Sequence, residues 1–380
     1  MKEFSKLFKK TSTGKIQEWR VWVVNNTIHS ESGKLGGKMI KSEDVIKVGK
    51  NIGKANETSP EEQAELEAES KWIAKKKKGY VETIDDAEND KVSSVVKGGF
   101  LPMLAHSFEK RGKDIKFPCA AQPKLDGIRA TSNEKGRIWS RTRKEIISVP
   151  HITSEILLND IDSSFEMLDG ELYNHDLKDD FEKITKVVSQ KKKPSKDHKI
   201  VQYHVYDIPS EKPFKERMED LQKLKMKLLN SLGSEGFIRI VDTVICNNRE
   251  ELDKYMNECL EEGYEGVMVR NLNDEGYDYK RSKNLQKMKE FEDAEFKIVD
   301  VEEGRGKLSG HAGSFVCFVD NDGEEVRFNA KLTGKISELK KYLVNKEEYI
   351  GKSLTVQFQG YTTKNKVPRF PVALRIREEE

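Results

Sequence analysis

A single lysine, Lys124, stands between an apolar stretch and an Asp-Gly turn in the segment PCAAQPKLDGIRA, residues 118–130. A lysine amine attacks an electrophile only in its neutral form, so a nucleophilic lysine needs burial or charged neighbours that lower its pKa. The apolar approach and the tight turn would hold such a lysine at the edge of a pocket. In a chain with 68 lysines and arginines, however, the tetrapeptide KLDG taken alone favours an ordinary surface turn.

Two glutamates elsewhere in the chain stand in apolar surroundings. Glu171 follows an Asp-Gly pair in MLDGELY, and Glu265 precedes an apolar run in GYEGVMVR. A carboxylate beside a buried strand is costly unless it is paired or binds a ligand. Each glutamate alone fits a strand end equally well, but together with a nucleophilic lysine they indicate metal or ribose binding.

A phosphate site and a base site have candidates as well. Lys287 and Lys289 in NLQKMKEF are two residues apart, so on a strand both ammonium groups point to one face, which suits a phosphate. A solvated edge strand would place its lysines in the same way. Tyr206 in YHVYDI could stack on a nucleobase, although a tyrosine in an apolar run is more often part of a core.

The elements that must position these residues form an α+β chain. Residues 1–87 begin with alternating strands such as KIQEWRVWVV and continue into one helix. Ser59 caps that helix, Pro60 begins it, Glu62 completes a capping box, and the late lysines place its end near Lys78. We expect a small domain rich in β-structure with one packed helix.

Two further domains are predicted. The polar stretch at residues 81–94 has the composition of a linker, with a boundary near residue 88. Residues 88–291 alternate strands and helices, which predicts a mixed domain of antiparallel sheets with flanking helices. Residues 292–380 contain about five short alternating strands, which suits a small barrel such as an OB-fold.

Composition limits the partners and the compartment. The whole chain carries a formal charge of +2, but its first 54 residues hold 12 Lys and Arg against 5 Asp and Glu, which fits a polyanionic partner or a solubilising surface. The four cysteines have no CxxC spacing, which argues against a zinc module and indicates a reducing compartment. We expect an intracellular, cytoplasmic protein without a membrane span, because no long apolar run is present.

The ordered series KLDGIR, SRTR, LDGEL, YHVYDI, EGVMVR and LQKMK, followed by RFPVALRIRE, resembles the covalent nucleotidyltransferase superfamily. Within it the chain is most similar to ATP-dependent DNA ligases of the small viral and phage type, over residues 98–380. The resemblance implies a central adenylation domain, a C-terminal OB-fold and a monomer. It also implies that the chain seals nicks in double-stranded DNA through lysyl-AMP and DNA-adenylate intermediates, with ATP and Mg²⁺.

The resemblance assigns roles to the residues around the lysine. Lys124, with Asp126 in the same motif, is implied to attack the α-phosphate of ATP. Glu171 is implied to bind the ribose and Glu265 the metal, and both carboxylates are candidate metal ligands.

Further contacts carry over from the family. They are Lys287 and Lys289 for phosphate, Arg129 and Arg141 for the nick phosphate or the nucleotide, Tyr206 for stacking under adenine, and Gln122 for the adenine amino group. In the last motif Arg375 and Arg377, with Arg369 nearby, are the candidates for orienting pyrophosphate.

Several segments outside the catalytic motifs could contact DNA. The first 87 residues resemble WGR-type nucleic-acid-binding modules, with Trp19, Arg20 and Trp22 as core or stacking residues. Further candidate phosphate contacts are the lysine-rich residues 189–199 and the barrel loop around Lys307 and His311. An RNA ligase and a capping guanylyltransferase share the lysine motif, and a DNA-binding protein that has lost catalysis could share the fold.

Overall fold

The computed structural model describes residues 1–11, 14–89, 91, 98–161, 165–232, 236–321, 323–362 and 365–377. The chain forms two compact units. One consists of Lys97–Glu290, and the other combines Met1–Val96 with Phe291–Glu380. The predicted boundary near residue 88 lies beside residues 90 and 92–97, which are outside the described part of the chain.

An antiparallel sheet of five strands forms the N-terminal part of the second unit. Its strands are β1 (Lys2–Glu3), β2 (Leu7–Lys10), β3 (Ile16–Val24), β4 (Thr27–Lys34) and β5 (Ile40–Val45). Helix α1 (Pro60–Lys77) packs on β3 and β4, and its fully buried Ala64 and Ala68 join a core with Trp19 and Val21. Alternation along β3 therefore buries one face of the sheet.

The ends of α1 confirm the capping prediction. The Ser59 side chain accepts a hydrogen bond from the Glu62 backbone, and the Glu62 carboxylate accepts one from the Ser59 backbone. The predicted linker is partly wrong, because a second helix, α2 (Ile84–Glu88), forms within it. Thr83 caps this helix, and the buried Val81 and Ala87 pack against Phe8. The segment is mostly polar, so its composition did not indicate these apolar contacts.

Two five-stranded sheets form the unit Lys97–Glu290. The first has the order β13-β7-β14-β15-β6 and the second β12-β11-β10-β8-β9. Their strands are β6 (Leu104–Ser107), β7 (Cys119–Pro123), β8 (Ile128–Asn133), β9 (Ile138–Ser140), β10 (Met167–Tyr173), β11 (Gln202–Asp207), β12 (Ile238–Ile240), β13 (Val244–Cys246), β14 (Gly266–Asn271) and β15 (Arg281–Lys289).

Five helices accompany these sheets in the described residues: α3 (Phe108–Arg111), α4 (Pro150–Leu158), α5 (Phe181–Val188), α6 (Phe214–Leu232) and α7 (Arg249–Glu261). The α+β class is confirmed. Most strand pairs in these sheets are antiparallel, as predicted, and two edge pairings are parallel: β12 with β11 and β6 with β15. Both β12 and β6 are edge strands reached through long connections, which remove the constraint of a hairpin.

A closed barrel forms the C-terminal part, as the short alternating strands predict. Its strands are β16 (Glu292–Glu303), β17 (Ala312–Asn321), β18 (Glu324–Lys331), β19 (Ser353–Phe358) and β20 (Val372–Ile376), and helix α8 (Ile336–Val344) lies between β18 and β19 in the chain. The order around the barrel is β16-β17-β18-β20-β19. Within the described residues no helix is long and apolar enough to cross a membrane.

Candidate active site

Lys124 follows directly on β7 and lies beside Glu265, which precedes β14. The Lys124 backbone N–H donates to the Gly266 carbonyl at 2.8 Å, and the Glu265 N–H donates to the Lys124 carbonyl at 3.1 Å. These bonds extend the β7–β14 ladder and bring the two side chains together. The Lys124 ammonium binds the Glu265 carboxylate, which also binds Lys289.

Glycines allow the close approaches around these two residues. A Cβ on Gly266, whose φ is +139°, would lie 2.2 Å from the Met288 carbonyl oxygen. A Cβ on Gly127, the glycine of KLDG, would lie 2.5 Å from the Leu172 carbonyl oxygen and 2.7 Å from the Glu171 Cγ. Glycine at position 266 therefore lets the start of β14 approach β15, and glycine at position 127 lets the turn after Lys124 approach β10.

The environment of Lys124 lowers the pKa of its amine. Burial lowers the pKa of Lys124, and this effect outweighs the carboxylates of Glu171 and Asp126, which favour the ammonium. The side chain is 17% exposed, so the amine still reaches the adjoining cavity. A lysine with a lowered pKa at a cavity edge has the properties of a nucleophile.

The opposite wall of the site comes from β8, β10 and β11. Glu171 pairs in register with Arg129 across β10 and β8, and the Tyr206 hydroxyl donates to the Glu171 carboxylate at 3.2 Å. Burial raises the pKa of Glu171 to about 7, although the charges of Arg129 and Lys124 oppose this. The site therefore holds a carboxyl group that gains or loses its proton near neutral pH.

Arg129 is turned inward, toward a buried carboxylate. Its Nε donates to the fully buried Asp169 at 2.7 Å, and its Nη2 donates to the Met103 carbonyl at 3.0 Å. The guanidinium carbon lies 5.0 Å from the centre of the Tyr206 ring. A buried carboxylate requires a partner, so Asp169 fixes Arg129 in the cavity wall.

A cavity of about 340 Å³ lies against these walls. Of the residues predicted from sequence it is lined by Gln122, Lys124, Arg129, Arg141, Glu171, Tyr206, Lys287 and Lys289. Its volume lies in the range of small-ligand pockets. The remaining two predicted residues of this unit lie next to the cavity wall: Asp126 in the turn after Lys124, and Glu265 bound to Lys124 and Lys289.

Among the lining residues that the sequence did not predict are Met268, Arg270 and Arg281. Strand alternation contains a signal for two of them. Val267 and Val269 are fully buried in the core, so Met268 and Arg270 point to the other face, which is the cavity. No comparable signal marked Arg281.

The cavity is rich in cations. The pKa of Lys287 is lowered by partial desolvation of its ammonium group and by the neighbouring charges of Lys124, Arg281 and Arg141. Repulsion of this kind is relieved when an anion binds among the cations. Together with Glu171 and Tyr206, these groups offer contacts for the phosphates, the sugar and the base of a nucleotide.

Comparisons with known proteins agree with this geometry. Residues 102–289 match the ATP dependent DNA ligase domain, and residues 303–377 match the DNA ligase OB-like domain. The chain belongs to the ATP-dependent DNA ligase family.

Individual members of the ligase family resemble most of the chain. A DNA ligase of African swine fever virus is 28% identical over 352 residues, covering 88% of this chain and 79% of that protein. The DNA ligase of Enterobacteria phage T4 is 25% identical and covers 76% of this chain and 72% of that protein. A solved Lig E DNA ligase has a TM-score of 0.59 at 26% identity, covering 73% of this chain and 98% of that chain.

The swine fever virus alignment includes more than the catalytic motifs. Residues 88–380 are 293 of the 380 residues, so a match over 88% of the chain must extend into the first 87 residues. This viral ligase therefore shares part of the N-terminal region with the chain.

The last-motif arginines lie in the other unit of this ligase. Arg375 is exposed on β20, and Arg377 follows that strand. The Arg377 Nε donates to the Glu295 carboxylate at 2.8 Å, and the same carboxylate accepts from Thr355 at 2.8 Å. Arg377 is thus held on the barrel surface by Glu295.

Two carboxylates of the ligase site could hold a metal ion. No cluster of three or more His, Cys, Asp or Glu side chains that could hold a metal occurs among the described residues. Glu171 and Glu265 offer two carboxylates near Lys124. This donor set fits Mg²⁺, which is usually bound by one or two carboxylates together with water and substrate phosphates.

Proposed function

We propose that the chain seals nicks in duplex DNA in three steps that begin at Lys124. The observation that carries this proposal is Lys124 itself: a partly buried lysine at the edge of a cation-rich cavity of nucleotide size. In the first step the neutral Nζ attacks the α-phosphorus of ATP, the bond to pyrophosphate breaks, and lysyl-AMP forms with loss of a proton from the amine.

The remaining steps transfer the nucleotide and join the strands. An oxygen of the 5′-phosphate at the nick attacks the phosphorus of lysyl-AMP, the P–N bond breaks, Nζ takes up a proton and leaves as the free lysine amine, and DNA-adenylate forms. The 3′-hydroxyl then attacks the 5′-phosphorus, loses its proton and displaces AMP. Such reactions depend on in-line positioning and on neutralising the charge of the phosphates.

The cavity residues divide these tasks. We place the adenine between Tyr206 and Met268, the ribose at Glu171, and the phosphates at Lys287 and Lys289. Arg141 contacts the nucleotide or the nick phosphate from the cavity rim. Bound to Glu171 and Glu265, Mg²⁺ would neutralise charge on the phosphates during transfer. Arg375 and Arg377 remain our candidates for orienting pyrophosphate.

Covalent labelling tests the proposal. The full chain is incubated with α-labelled ATP or GTP and Mg²⁺, and denatured protein is examined for bound label. We expect label from ATP, lost after addition of nicked DNA as sealed product appears. Label from GTP alone would support a capping guanylyltransferase, and sealing of RNA nicks but not DNA nicks would support an RNA ligase.

For residues 1–87 we propose a WGR-like DNA-binding domain. Trp22 and Arg20 lie on the face of β3 opposite the buried Trp19, with the guanidinium carbon 4.7 Å from the Trp22 ring centre. Trp22 also stacks on His29 of β4, with ring centres 5.3 Å apart. A partly exposed aromatic cluster with a cation suits stacking against a nucleic acid.

Cations gather at another edge of this N-terminal part. Burial lowers the pKa of Lys75 in α1 to about 8, and the charges of Lys78, Lys307 and Lys9 add to the effect. Lys307 belongs to the barrel turn Gly306–Leu308, which contacts β5. Lysines of the helix, the sheet and the barrel thus form one surface suited to a phosphate backbone.

A truncation tests this second proposal. A chain that begins near residue 88 should bind nicked DNA more weakly than the full chain, with a smaller dependence on salt, because fewer phosphate contacts are made. Equal binding and sealing at physiological salt would contradict it. Light scattering of the full chain would test the expected monomer.

A further inference from the structure

The side-chain amide of Gln122 lies in the cavity wall and has partners on both of its ends. Its Nε2 donates to the Tyr206 carbonyl at 3.1 Å and to the Thr243 hydroxyl at 3.0 Å. Its Oε1 accepts from the Nε of Arg270 at 3.0 Å. Gln122 is only 1% exposed, so these bonds are protected from water.

The chemistry of these partners allows only one orientation of the amide. A guanidinium can only donate and a backbone carbonyl can only accept. Rotating the amide by half a turn would place two donors together at Arg270 and two acceptors together at Tyr206. Both Nε2 hydrogens are used in the observed orientation, so the hydrogen-bonding capacity that remains is the second lone pair of Oε1.

Arg270 is itself held in place by buried groups. Its Nη1 donates to Asp207 at 2.6 Å, and its guanidinium carbon lies 4.6 Å from the ring centre of Phe214. Asp207 is fully buried and also accepts from the Nε of Arg217 at 2.8 Å. Arg270 is 3% exposed, so its guanidinium has little freedom to leave Gln122.

The same bonds join the two sheets behind the cavity. Gln122 and Arg270 belong to β7 and β14 of one sheet, whereas Tyr206 and Asp207 end β11 of the other. Gln122 and Tyr206 both line the cavity. A change at Arg270 would therefore alter which atom the wall presents to a bound base.

We propose that Arg270 is a positioning residue for base selection, which fixes Gln122 so that the cavity presents a hydrogen-bond acceptor to the purine. This inference rests on the proposed function, in which the cavity binds the adenine of ATP. The 6-amino group of adenine donates to such an acceptor, whereas the 6-oxo group of guanine faces it with a second acceptor. The oriented amide thus selects ATP over GTP.

The expected selectivity is large because the mismatch is buried. A site that leaves polar groups unpaired discriminates by factors on the order of 10² or more. Without Arg270, only the Tyr206 carbonyl and the Thr243 hydroxyl hold the amide, so the amide turns more readily and can offer Nε2 to the guanine oxygen. The rate of covalent labelling from GTP should then rise, and the rate of labelling from ATP should fall.

The test measures the rate of covalent labelling of the full chain from ATP and from GTP in matched variants. In Arg270→Lys a cation remains beside Asp207 but the guanidinium bond to Gln122 is lost, and we expect the ATP-to-GTP ratio to fall at least about 10-fold. Gln122→Ala should lose the preference to a similar extent. Gln122→Glu keeps an acceptor on both oxygens and should retain the preference for ATP, whatever its overall rate.

The controls separate selection from folding. Arg249→Lys makes the same substitution on the surface of α7, at an arginine paired with Asp253 at 2.8 Å, and should leave the ratio unchanged. If Arg270→Lys reduced the labelling rates from ATP and from GTP by the same factor, the inference would be overturned. If that variant does not fold by circular dichroism, an unchanged ratio in Gln122→Ala overturns it instead. Absence of any label on the unmodified chain would contradict the proposed function.

Discussion

The Lys124 ammonium is hydrogen-bonded to the Glu265 carboxylate, and the backbones of the two residues are paired in the same ladder. The residues are 141 positions apart in the chain, so only the pairing of β7 with β14 brings them together. This arrangement gives the lysine a counter-charge at rest and places it beside the cavity.

The first prediction concerns the chemistry of Lys124. Lys124→Arg keeps a cation for Glu265, but a guanidinium is not nucleophilic at neutral pH, so covalent labelling from ATP should disappear. Lys124→Ala should lose labelling too, while DNA binding largely remains. The control is Lys254→Ala on the exposed surface of α7, which should label normally. Persistent label in either Lys124 variant would refute its role as the nucleophile.

The second prediction concerns the pH dependence of the first step. Because burial lowers the pKa of Lys124, the labelling rate should rise with pH and level off below the usual lysine pKa of about 10.4. Lys287→Met removes a neighbouring cation that disfavours the Lys124 ammonium, so its profile should shift to higher pH. Single-turnover labelling between about pH 6 and pH 10 measures both profiles. A shift of the Lys287→Met profile to lower pH would contradict the repulsion between the ammonium groups of Lys287 and Lys124.

The third prediction concerns Glu171 and stability. Its pKa is raised from 4.5 to about 7, so between these values the folded protein binds more protons than the unfolded chain. Stability therefore falls as pH rises through this interval, by at most about 3 kcal/mol from this group. Hydrogen exchange of the β10 amides at about pH 5 and pH 8 measures the change. The Glu171→Gln variant should lack the part of this stability change that comes from the Glu171 carboxyl. An equal stability change in the variant and the unmodified protein would contradict the raised pKa of Glu171.

The fourth prediction concerns a buried ion network. Arg217 is fully buried and donates to Asp207 at 2.8 Å and to Asp274 at 3.2 Å. Arg217→Met would leave these carboxylates short of a counter-charge, which costs about 3–5 kcal/mol. Thermal unfolding should show a clear loss against Arg249→Lys as a surface control. A loss below about 1 kcal/mol would mean that the network relaxes around the change.

The fifth prediction separates two tryptophans of β3. Trp19 is 6% exposed in the core against α1, so Trp19→Ala should destabilise the N-terminal part by about 3–5 kcal/mol. Trp22 lies on the opposite face beside Arg20 and His29, so Trp22→Ala should preserve folding and weaken DNA binding. Binding titrations with nicked duplex at two salt concentrations would measure the second effect. Unchanged affinity in Trp22→Ala would exclude a stacking role.

The sequence by itself determined the local elements and the types of residue at the site. The signals of Ser59, Pro60 and Glu62 predicted α1, because capping depends on neighbours within one turn. The two-residue spacing of Lys287 and Lys289 predicted their common face, because strand side chains alternate. The order of the motifs predicted the family, because each motif is a short segment that can be recognised from neighbouring residues alone.

Tertiary structure decided which groups meet. It turned Arg129 toward Asp169, because a buried carboxylate needs a partner that no local pattern specifies. It also joined Arg270 to Gln122 over a separation of 148 residues, by placing β14 beside β7. Hydrogen-bond direction and the pKa of a buried group depend on neighbours that are distant in the chain, so they are defined only once the sheets are assembled.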